Sequence, residues 1–413
     1  MTCALLSTGT ELTRGDLLNS NATWLAEQLT SLGHEVTEIV TVDDDEERIV
    51  QTLERLARSH RFLIATGGLG PTTDDLTSVA AARAAGVPLE RDLRSVGRIE
   101  AWLAARGVSM HASNAKQADF PQGARILDND VGTAPGFAVR LIDCDAFFTP
   151  GVPSEMRTMF ERRILPLLPP AEQPAVLRRL RTFGMPESQV NDTLAGLEQE
   201  LGLVIGYRAS LSQIEVKVLA RQRPGEDLDA TRARADEGQR RARELLGQAV
   251  YGEGNTSLER VLGELLLERG LSLALAESCT GGMISQLVTS VPGASSYYRG
   301  GVCTYANDVK TDLLDVPTEL LEQHGAVSPE VAVAMAEGAR KRFGADLAIG
   351  ITGIAGPSGG TAEKPVGLVH WAVARSGGTR ASQRIFTGDR QQIQQRAALM
   401  ALWSLRRALL SDG

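Results

Sequence analysis

The chain has 413 residues, 43% of them hydrophobic, and a formal net charge of −8 at pH 7. This length and apolar content predict two or three domains with well-filled cores, and the negative charge argues against non-specific nucleic-acid binding. No apolar run approaches the roughly 20 residues of a membrane-spanning helix, and the N-terminus lacks a basic region followed by a long apolar stretch. We therefore expect a cytoplasmic protein that does not enter membranes. The four cysteines lack CxxC spacing, which argues against a zinc site or disulfide framework.

The first 85 residues alternate between strand and helix patterns. Such alternation predicts βαβ units and a doubly wound parallel sheet. The predicted strands are Thr2–Ser7, Glu35–Val42 and Arg61–Ala65, and the predicted helices are Ala22–Leu32, Asp45–Ser59 and Ser78–Ala85.

A glycine-rich turn follows the third strand and precedes the third helix. Gly67, Gly68 and Gly70 allow a backbone to approach phosphates closely, and the nearby Asp74 and Asp75 suit a divalent cation. The alternative is a structural turn in which one aspartate complements the helix dipole. No Lys follows the glycines, so the segment fits neither the dinucleotide nor the P-loop fingerprint.

Further along, Asn114–Ala118, Gly132–Phe137 and Thr149–Met156 read as transitions between strands and loops. Lys116 is one of only five lysines in the chain, and we weigh a phosphate contact against a solvated surface charge.

The segment Pro166–Pro174 reads as a linker that leads to a smaller α+β unit. The predicted domains are 1–168, 169–253 and 254–413. In the middle one we expect strands and helices at Val176–Phe183, Pro186–Leu201, Val204–Ser210, Gln213–Arg221 and Asp227–Leu246.

The last domain is organised around Leu271–Thr289. A short apolar strand ends in Glu277-Ser278-Cys279-Thr280-Gly281-Gly282, and a helical pattern resumes at Met283. This arrangement places Ser278 at the carboxyl edge of a sheet, where the amides of the helix's first turn can meet an oxyanion or a phosphate. The alternative is that Ser278 or Thr280 merely caps the helix.

Two later strands end in polar residues, and in a parallel sheet they would meet Ser278 at one edge. Tyr305 and Lys310 follow the strand that begins at Gly300, with Asn307–Lys310 read as a loop, and Thr352 follows Leu347–Ile351. A Lys whose pKa is lowered by burial can act as a base, which Arg cannot. Cys279 is a rival nucleophile, because a helix N-terminus lowers a thiol pKa.

The remaining features are a long loop, Gly356–Gly367, of the kind that covers a site, and Arg390 at the start of the final helix. The planar fork of Arg390 suits a phosphate or carboxylate, and the alternative is an ion pair with Asp389.

Several of these segments together resemble the CinA family (competence/damage-inducible protein A). The N-terminal TGTEL, GDLLNSN, TGGLGPTTDD, NAKQADFP and TPGVPSEM segments resemble its molybdopterin-binding-like domain. Five further segments are similar to its nicotinamide-nucleotide amidohydrolase domain: AESCTGG (Ala276–Gly282), TYANDVK (Thr304–Lys310), GITGIAGPSGG (Gly350–Gly360), EKPVG (Glu363–Gly367) and TGDR (Thr387–Arg390).

The resemblance implies an α/β fold with a doubly wound N-terminal domain, a small KH-like α+β middle module and an α/β amidohydrolase domain. It implies that the last domain converts nicotinamide mononucleotide to nicotinic acid mononucleotide and ammonia without a cofactor, and that the first is an ADP-ribose pyrophosphatase that depends on a divalent metal. The alternative for the first domain is a module that binds a nucleotide or pterin without turnover. A homodimer is also implied. The middle module has GxxxG spacing at Gly202–Gly206 rather than the GXXG of RNA-binding KH domains, which argues against nucleic acid as a partner.

The site residues that follow from the motifs and the resemblance are these. Ser278 is the nucleophile, and Tyr305 with Lys310 transfers the proton. The substrate contacts are Thr280, Gly281, Gly282, Thr352, Gly353 and Arg390. In the N-terminal domain, Gly67, Gly68, Gly70, Thr72 and Lys116 would bind nucleotide phosphates, and Glu11, Asp74 and Asp75 would bind the metal.

Overall fold

The computed structural model describes residues 2–411. The backbone divides into two compact units, one made of the residues up to 177 with 219–233 and the other of 178–218 with the residues from 234 onward. Among the described residues, no helix is long and apolar enough to cross a membrane. The three domain boundaries given above stay a prediction.

The first unit is built on a six-stranded sheet of order β2-β1-β3-β8-β7-β6. Neighbours from β2 to β8 run parallel, whereas β7 and β6 are antiparallel. The strands of this unit are β1 (Thr2–Thr8), β2 (Glu35–Val42), β3 (Phe62–Thr66), β4 (Leu89–Arg91), β5 (Asp119–Pro121), β6 (Arg125–Leu127), β7 (Gly136–Leu141) and β8 (Cys144–Thr149). The helices are α1 (Thr10–Thr13), α2 (Ser20–Ser31), α3 (Glu46–Ser59), α4 (Thr77–Ala85), α5 (Leu93–Ala104) and α6 (Pro153–Met159).

Both faces of this sheet are covered, which confirms the doubly wound prediction. Alternate residues of a strand point to opposite faces. In β1, Leu5 joins a core with α2 and α6, whereas Leu6 joins a second core with α3, α4 and α5. Three of the helices, α2, α3 and α5, begin at a side-chain cap. At α3, for example, the Asp45 carboxylate accepts from the Arg48 amide at 2.9 Å.

A four-stranded sheet of order β10-β11-β9-β12 follows in the chain. The predicted helix Pro186–Leu201 is wrong as a single element. Gly196 has a φ of +90°, a left-handed conformation that interrupts helical geometry, and two short helices result. The elements are β9 (Ala175–Phe183), α7 (Glu187–Thr193), α8 (Leu197–Leu201), β10 (Val204–Ser210), β11 (Gln213–Arg221), α9 (Leu228–Leu246) and β12 (Val250–Glu253).

The second unit also contains a five-stranded sheet of order β14-β13-β15-β16-β17. Its strands are β13 (Leu273–Glu277), β14 (Tyr298–Cys303), β15 (Leu347–Gly353), β16 (Leu368–Arg375) and β17 (Gly378–Ile385). Its helices are α10 (Leu258–Glu268), α11 (Met283–Thr289), α12 (Asn307–Leu314), α13 (Thr318–His324), α14 (Pro329–Phe343) and α15 (Arg390–Leu410).

In this sheet β13 is buried on both faces and runs parallel to β14 and β15. Leu273 and Leu275 enter the core with α10, α11 and α15, whereas Ala274 and Ala276 enter the core with α14. The carboxyl ends of three parallel strands therefore meet at one edge. The predicted loop Asn307–Lys310 is wrong, because these residues form the first turn of α12.

Candidate active site and a second cleft

A cleft of about 200 Å³ lies at the carboxyl edge of the parallel strands of the second unit. It brings together six of the nine residues expected for the amidohydrolase site, which come from four separate parts of the chain: Ser278, Tyr305, Lys310, Thr352, Gly353 and Arg390. The other lining residues are Cys279, Ala326, Val327 and Ala355.

The Lys310 ammonium is the most buried charged group of this cleft, since the residue is 1% exposed. Nζ donates to the carbonyl oxygens of Thr304 at 2.8 Å and Tyr305 at 3.3 Å. Burial lowers the pKa of Lys310 from its ordinary value, and nearby Cys279, Cys303 and Asp308 oppose this only in part. It is the burial that favours loss of the proton, because the carbonyl acceptors stabilise the charged form.

Ser278 and Cys279 are consecutive residues just after β13, and their surroundings indicate which of the two side chains is the better nucleophile. Both line the cleft, but burial raises the pKa of the Cys279 thiol to about 12. The expectation that the helix N-terminus lowers this pKa is therefore wrong. A thiol is nucleophilic as its thiolate, so Cys279 is a poor nucleophile at neutral pH and the alcohol of Ser278 is the better placed group.

Tyr305 is tied to Arg390 rather than to Lys310. Arg390 donates from Nη2 to the Tyr305 hydroxyl at 2.8 Å and from Nη1 to the Gly356 carbonyl at 2.7 Å. Lys310 reaches only the backbone carbonyl of Tyr305, so a direct proton-transfer pair between these two side chains is not assembled. The alternative ion pair of Arg390 with Asp389 is not formed either, because Asp389 caps α15 through the Gln392 amide.

The amides at the start of α11 are occupied by a carboxylate of the protein itself. Glu277, which is 1% exposed, accepts from the amides of Gly282 at 3.1 Å, Ile284 at 3.0 Å and Ser285 at 2.8 Å. Glu277 also accepts from the hydroxyls of Thr280 and Ser285, each at 2.7 Å.

This arrangement corrects three expected substrate contacts. Gly282 donates to Glu277, Gly281 donates to the Ser278 carbonyl at 3.1 Å, and the Thr280 hydroxyl donates to Glu277. None of the three lines the cleft. The glycine pattern predicts a turn, but it does not determine whether the amides of that turn donate to a carboxylate of the protein or to a ligand. The sequence alone could therefore not distinguish the two.

We expect Glu277→Ala to lower the free energy of unfolding by about 3 kcal/mol or more, because several buried donors would lose their acceptor at a cost of about 1–3 kcal/mol each. The midpoint of urea unfolding, followed by circular dichroism, measures the change. Glu268→Ala, which removes an exposed carboxylate from α10, is the matched control and should shift the midpoint little. Equal small shifts in both variants would contradict the assigned role of Glu277.

The cleft's remaining wall comes from two loops that are fastened to each other. The Thr352 hydroxyl donates to the Ala326 carbonyl at 2.8 Å. Lys364, within the loop Gly356–Gly367, donates to the carbonyls of His324 at 2.6 Å and Val327 at 2.8 Å. Sequence reasoning missed Ala326 and Val327, since small apolar residues carry no chemical signal.

A second cleft, of about 600 Å³, lies in the first unit. It gathers most of the expected nucleotide and metal residues, namely Glu11, Gly67, Gly68, Gly70, Thr72, Asp74 and Asp75. Lys116 does not line it. Its Nζ donates to the Thr72 carbonyl at 2.6 Å, so Lys116 is fastened to the glycine-rich turn.

The three expected metal ligands do not form a ligand group. Asp75 accepts from the Thr72 amide at 2.9 Å and from the Thr72 hydroxyl at 2.5 Å, which closes the turn. The Asp74 carboxyl is exposed, and its hydrogen bond with Thr72 lowers its pKa. Within residues 2–411, no three His, Cys, Asp or Glu side chains are placed to hold one ion. The structure therefore does not bring Glu11, Asp74 and Asp75 together as three ligands of one ion, and a divalent metal in this cleft stays a prediction.

Two amide side chains that the sequence did not single out complete this cleft. Asn21 is 9% exposed, and its Nδ2 donates to the Gly151 carbonyl at 2.7 Å and to the Thr66 hydroxyl at 3.2 Å. Gln117 is 6% exposed and donates to Thr133 at 3.2 Å. Neither side-chain oxygen has a hydrogen-bond partner among the described residues. Asn21 lies in the GDLLNSN segment and Gln117 in the NAKQADFP segment. Membership of these two motifs is the sequence feature from which both residues could have been predicted.

Three family models match consecutive parts of the chain. A probable molybdopterin binding domain matches residues 4–170, the damage-inducible protein CinA KH domain matches 177–252, and the CinA C-terminal domain matches 255–409. The chain therefore has a molybdopterin-binding-like N-terminal domain, a KH-like middle module and a CinA C-terminal domain in a mixed α/β architecture, as the resemblance implied.

Similar proteins extend over the full length. A CinA-like protein of Geobacter metallireducens is 43% identical over 418 residues and is covered completely, as is this chain. A putative competence-damage inducible protein of Symbiobacterium thermophilum is 42% identical over 425 residues, with 99% of each chain covered. The crystal structure of the competence/damage inducible protein CihA from Agrobacterium tumefaciens shares 40% identity, covers 38% of this chain and 97% of its own, and has a TM-score of 0.36. The chain belongs to the CinA family.

Proposed function

We propose that the C-terminal domain hydrolyses the carboxamide of nicotinamide mononucleotide to nicotinic acid mononucleotide and ammonia. The observation that supports this most is the shared cleft of Ser278, Lys310 and Arg390, in which an alcohol lies with a lysine whose pKa burial lowers. An alcohol next to a deprotonated amine is a known alternative to a serine activated by histidine.

In this proposal the Ser278 oxygen attacks the carboxamide carbon while its proton passes to the neutral Lys310 amine. The carbon–nitrogen bond then breaks, the leaving nitrogen takes the proton, and ammonia departs from a nicotinyl ester of Ser278. Water attacks the ester, Lys310 again accepts the proton, and Ser278 is released with its own proton restored. No oxidant, metal or other cofactor enters this balance.

Arg390 is the residue that we assign to the substrate's phosphate, with Tyr305 as its support. The hydrogen bonds to Gly356 and Tyr305 use two of the five guanidinium N–H donors and hold the plane in place. The cleft of about 200 Å³ is smaller than most ligand pockets. We therefore expect it to enclose the pyridine carboxamide, with the ribose phosphate extending outward past Arg390.

An assay of ammonia release tests this assignment with three substrates. Nicotinamide mononucleotide should react, and nicotinamide riboside should have a kcat/KM about tenfold or more lower, because it forgoes the charged hydrogen bonds to Arg390. Free nicotinamide should be poorer still. Failure to form nicotinic acid mononucleotide, or equal rates with all three, would refute the proposal.

The first unit supports a second proposal, the binding of a phosphate-bearing nucleotide in its cleft. Asn21 and Gln117 line this cleft, and their buried amide oxygens have no protein donor among the described residues. An unmet buried acceptor is costly unless a ligand supplies the donor. A nucleotide offers ring amines and hydroxyls for them and phosphates for the glycine loop. The predicted metal-dependent hydrolysis of ADP-ribose and the predicted homodimer both stay predictions.

We expect Asp75→Asn to weaken ADP-ribose binding by about tenfold, because this carboxylate closes the glycine loop through two hydrogen bonds. Calorimetric titration with and without a chelator measures the binding, and chromatography of the same samples detects AMP. Asp143→Asn, which alters a carboxylate that is 97% exposed, is the control and should bind normally. AMP that disappears with the chelator would favour the pyrophosphatase over a binding role.

A further inference from the structure

The connection between α13 and α14, residues 325–328, forms one wall of the Ser278 cleft. Ala326 and Val327 of this connection line the cleft. The connection lies outside both helices, so no helical hydrogen bonds fix its carbonyl groups. Its position therefore depends on groups that come from other parts of the chain.

Three carbonyl groups at this connection accept hydrogen bonds from two side chains. Nζ of Lys364 donates to the carbonyls of His324 at 2.6 Å and Val327 at 2.8 Å, and the Thr352 hydroxyl donates to the Ala326 carbonyl at 2.8 Å. The bond to His324 lies at the carboxyl end of α13, where the helix dipole favours a cation. One ammonium group therefore ties the two ends of the connection together.

The backbone around Lys364 and the facing glycine both suit this contact. The Lys364 amide donates to the Thr361 hydroxyl at 3.0 Å, and its carbonyl accepts from the Thr361 amide at 2.8 Å, which closes a tight turn. At Gly325, whose φ is +71°, a Cβ would lie 3.3 Å from the Lys364 ammonium. The glycine therefore leaves room for the ammonium to approach the two carbonyl groups.

The loop that carries Lys364 is itself fastened at its base. Nη1 of Arg390 donates to the Gly356 carbonyl at 2.7 Å. The Gly367 amide donates to the Ile354 carbonyl, also at 2.7 Å, and so closes the two ends of the loop on each other. A base held in this way gives Lys364 a fixed support from which to hold the wall of the cleft.

We propose that Lys364 is a positioning residue of the amidase site, which holds the Ala326–Val327 wall at the distance that fits a flat pyridine carboxamide. This inference rests on the function proposed above for the Ser278 cleft. Lys364 does not line that cleft, so it acts through the carbonyl groups that it binds. A wall that contacts the ring equally in the ground state and in the transition state contributes to KM rather than to kcat.

A direct contact with the substrate's phosphate is the other role that a lysine near this cleft suggests. Two of the three ammonium protons of Lys364 are used on carbonyl groups, and Arg390 is the cation that lines the cleft beside Tyr305. The two roles differ in an observable way, because a phosphate contact matters only for a substrate that carries the phosphate.

The experiment uses the full chain, with Lys364→Met as the test variant and with nicotinamide mononucleotide and nicotinamide riboside as substrates. Methionine has a similar length but donates no hydrogen bond, whereas Lys364→Arg keeps a cationic donor. Lys341→Met is the matched control, because it removes an exposed lysine of α14 that pairs with Asp315 at 3.0 Å. Ammonia release gives kcat and KM, and circular dichroism gives the folded fraction.

We expect Lys364→Met to lower kcat/KM about tenfold or more for both substrates, with the effect on nicotinamide mononucleotide lying in KM and kcat little changed. Lys364→Arg should recover most of this loss, and the control should keep both constants. An unchanged KM, or a fall in kcat alone that follows a loss of folded protein, would overturn the proposal. So would a loss confined to nicotinamide mononucleotide, which would assign Lys364 to the phosphate.

A measurement without substrate separates this proposal from the proposed function. Endoproteinase Glu-C cleaves after glutamate, and the exposed Glu363 directly precedes Lys364. Cleavage there requires local release of the loop, so mass spectrometry should detect it about tenfold or more faster in Lys364→Met and unchanged in Lys341→Met. Equal rates would refute the tie between Lys364 and the wall, whatever the amidase assay gives. Faster cleavage in a protein that releases no ammonia would confirm the tie and refute the function.

Discussion

Ser278→Ala is expected to lower kcat for ammonia release from nicotinamide mononucleotide by about 10³-fold or more, because the reaction would lose its covalent intermediate. The variant should still bind substrate, since the contacts assigned to Arg390 remain. Binding can be followed by calorimetry, because turnover is then negligible. Loss of kcat with retained affinity is the pattern of a group that acts in the chemical step.

The adjacent thiol makes this test sharper than a single substitution. Cys279 lines the same cleft, and burial raises its pKa to about 12, so Cys279→Ala should keep kcat within about an order of magnitude. Its cost should instead be a modest loss of stability, because Cys279 is 5% exposed within the core. If Cys279→Ala abolished turnover and Ser278→Ala did not, the nucleophile would be the thiol.

The bounds of several elements were predicted to the residue from the sequence. The sheet edge at which the cleft forms was also predicted. Gln213–Arg221 and Met283–Thr289 match β11 and α11, because alternation and glycine boundaries are local signals. The meeting of Ser278, Lys310 and Thr352 followed from a topological rule, that parallel strands share a carboxyl edge.

What the sequence could not give is the set of partners that each polar group chooses. Glu277 reaches forward to Ser285, and Arg390 reaches back to Tyr305. Both hydrogen bonds depend on side-chain rotamers in the assembled core. A motif can therefore identify the correct residues and still lead to a wrong prediction of their partners. Lys116 is a further example: a contact with a phosphate was predicted from its charge, and in the structure its ammonium donates to the Thr72 carbonyl.

Lys310→Met is expected to lower kcat/KM for nicotinamide mononucleotide by about 10²–10⁴-fold, which is the usual contribution of a positioned base. In the unaltered protein the rate should rise with pH, because only the neutral amine accepts the Ser278 proton. Burial lowers the pKa of Lys310 from 10.5, so log(kcat/KM) should rise with a slope of about one and level off below pH 10.5. In Lys310→Met this rising limb should be absent.

Two further variants separate a base from a mere positive charge. Lys310→Arg keeps a cation that does not lose its proton, so it should be as inactive as Lys310→Met if the neutral amine is required. Lys341→Met removes an exposed lysine, paired with Asp315 at 3.0 Å, and should keep both the rate and the pH profile. High activity in Lys310→Arg, or a rising limb that persists in Lys310→Met, would assign Lys310 to substrate binding and place the base elsewhere. The burial of the amine, which is 1% exposed and whose pKa is lowered by that burial, is the reason to expect that Lys310→Arg is inactive.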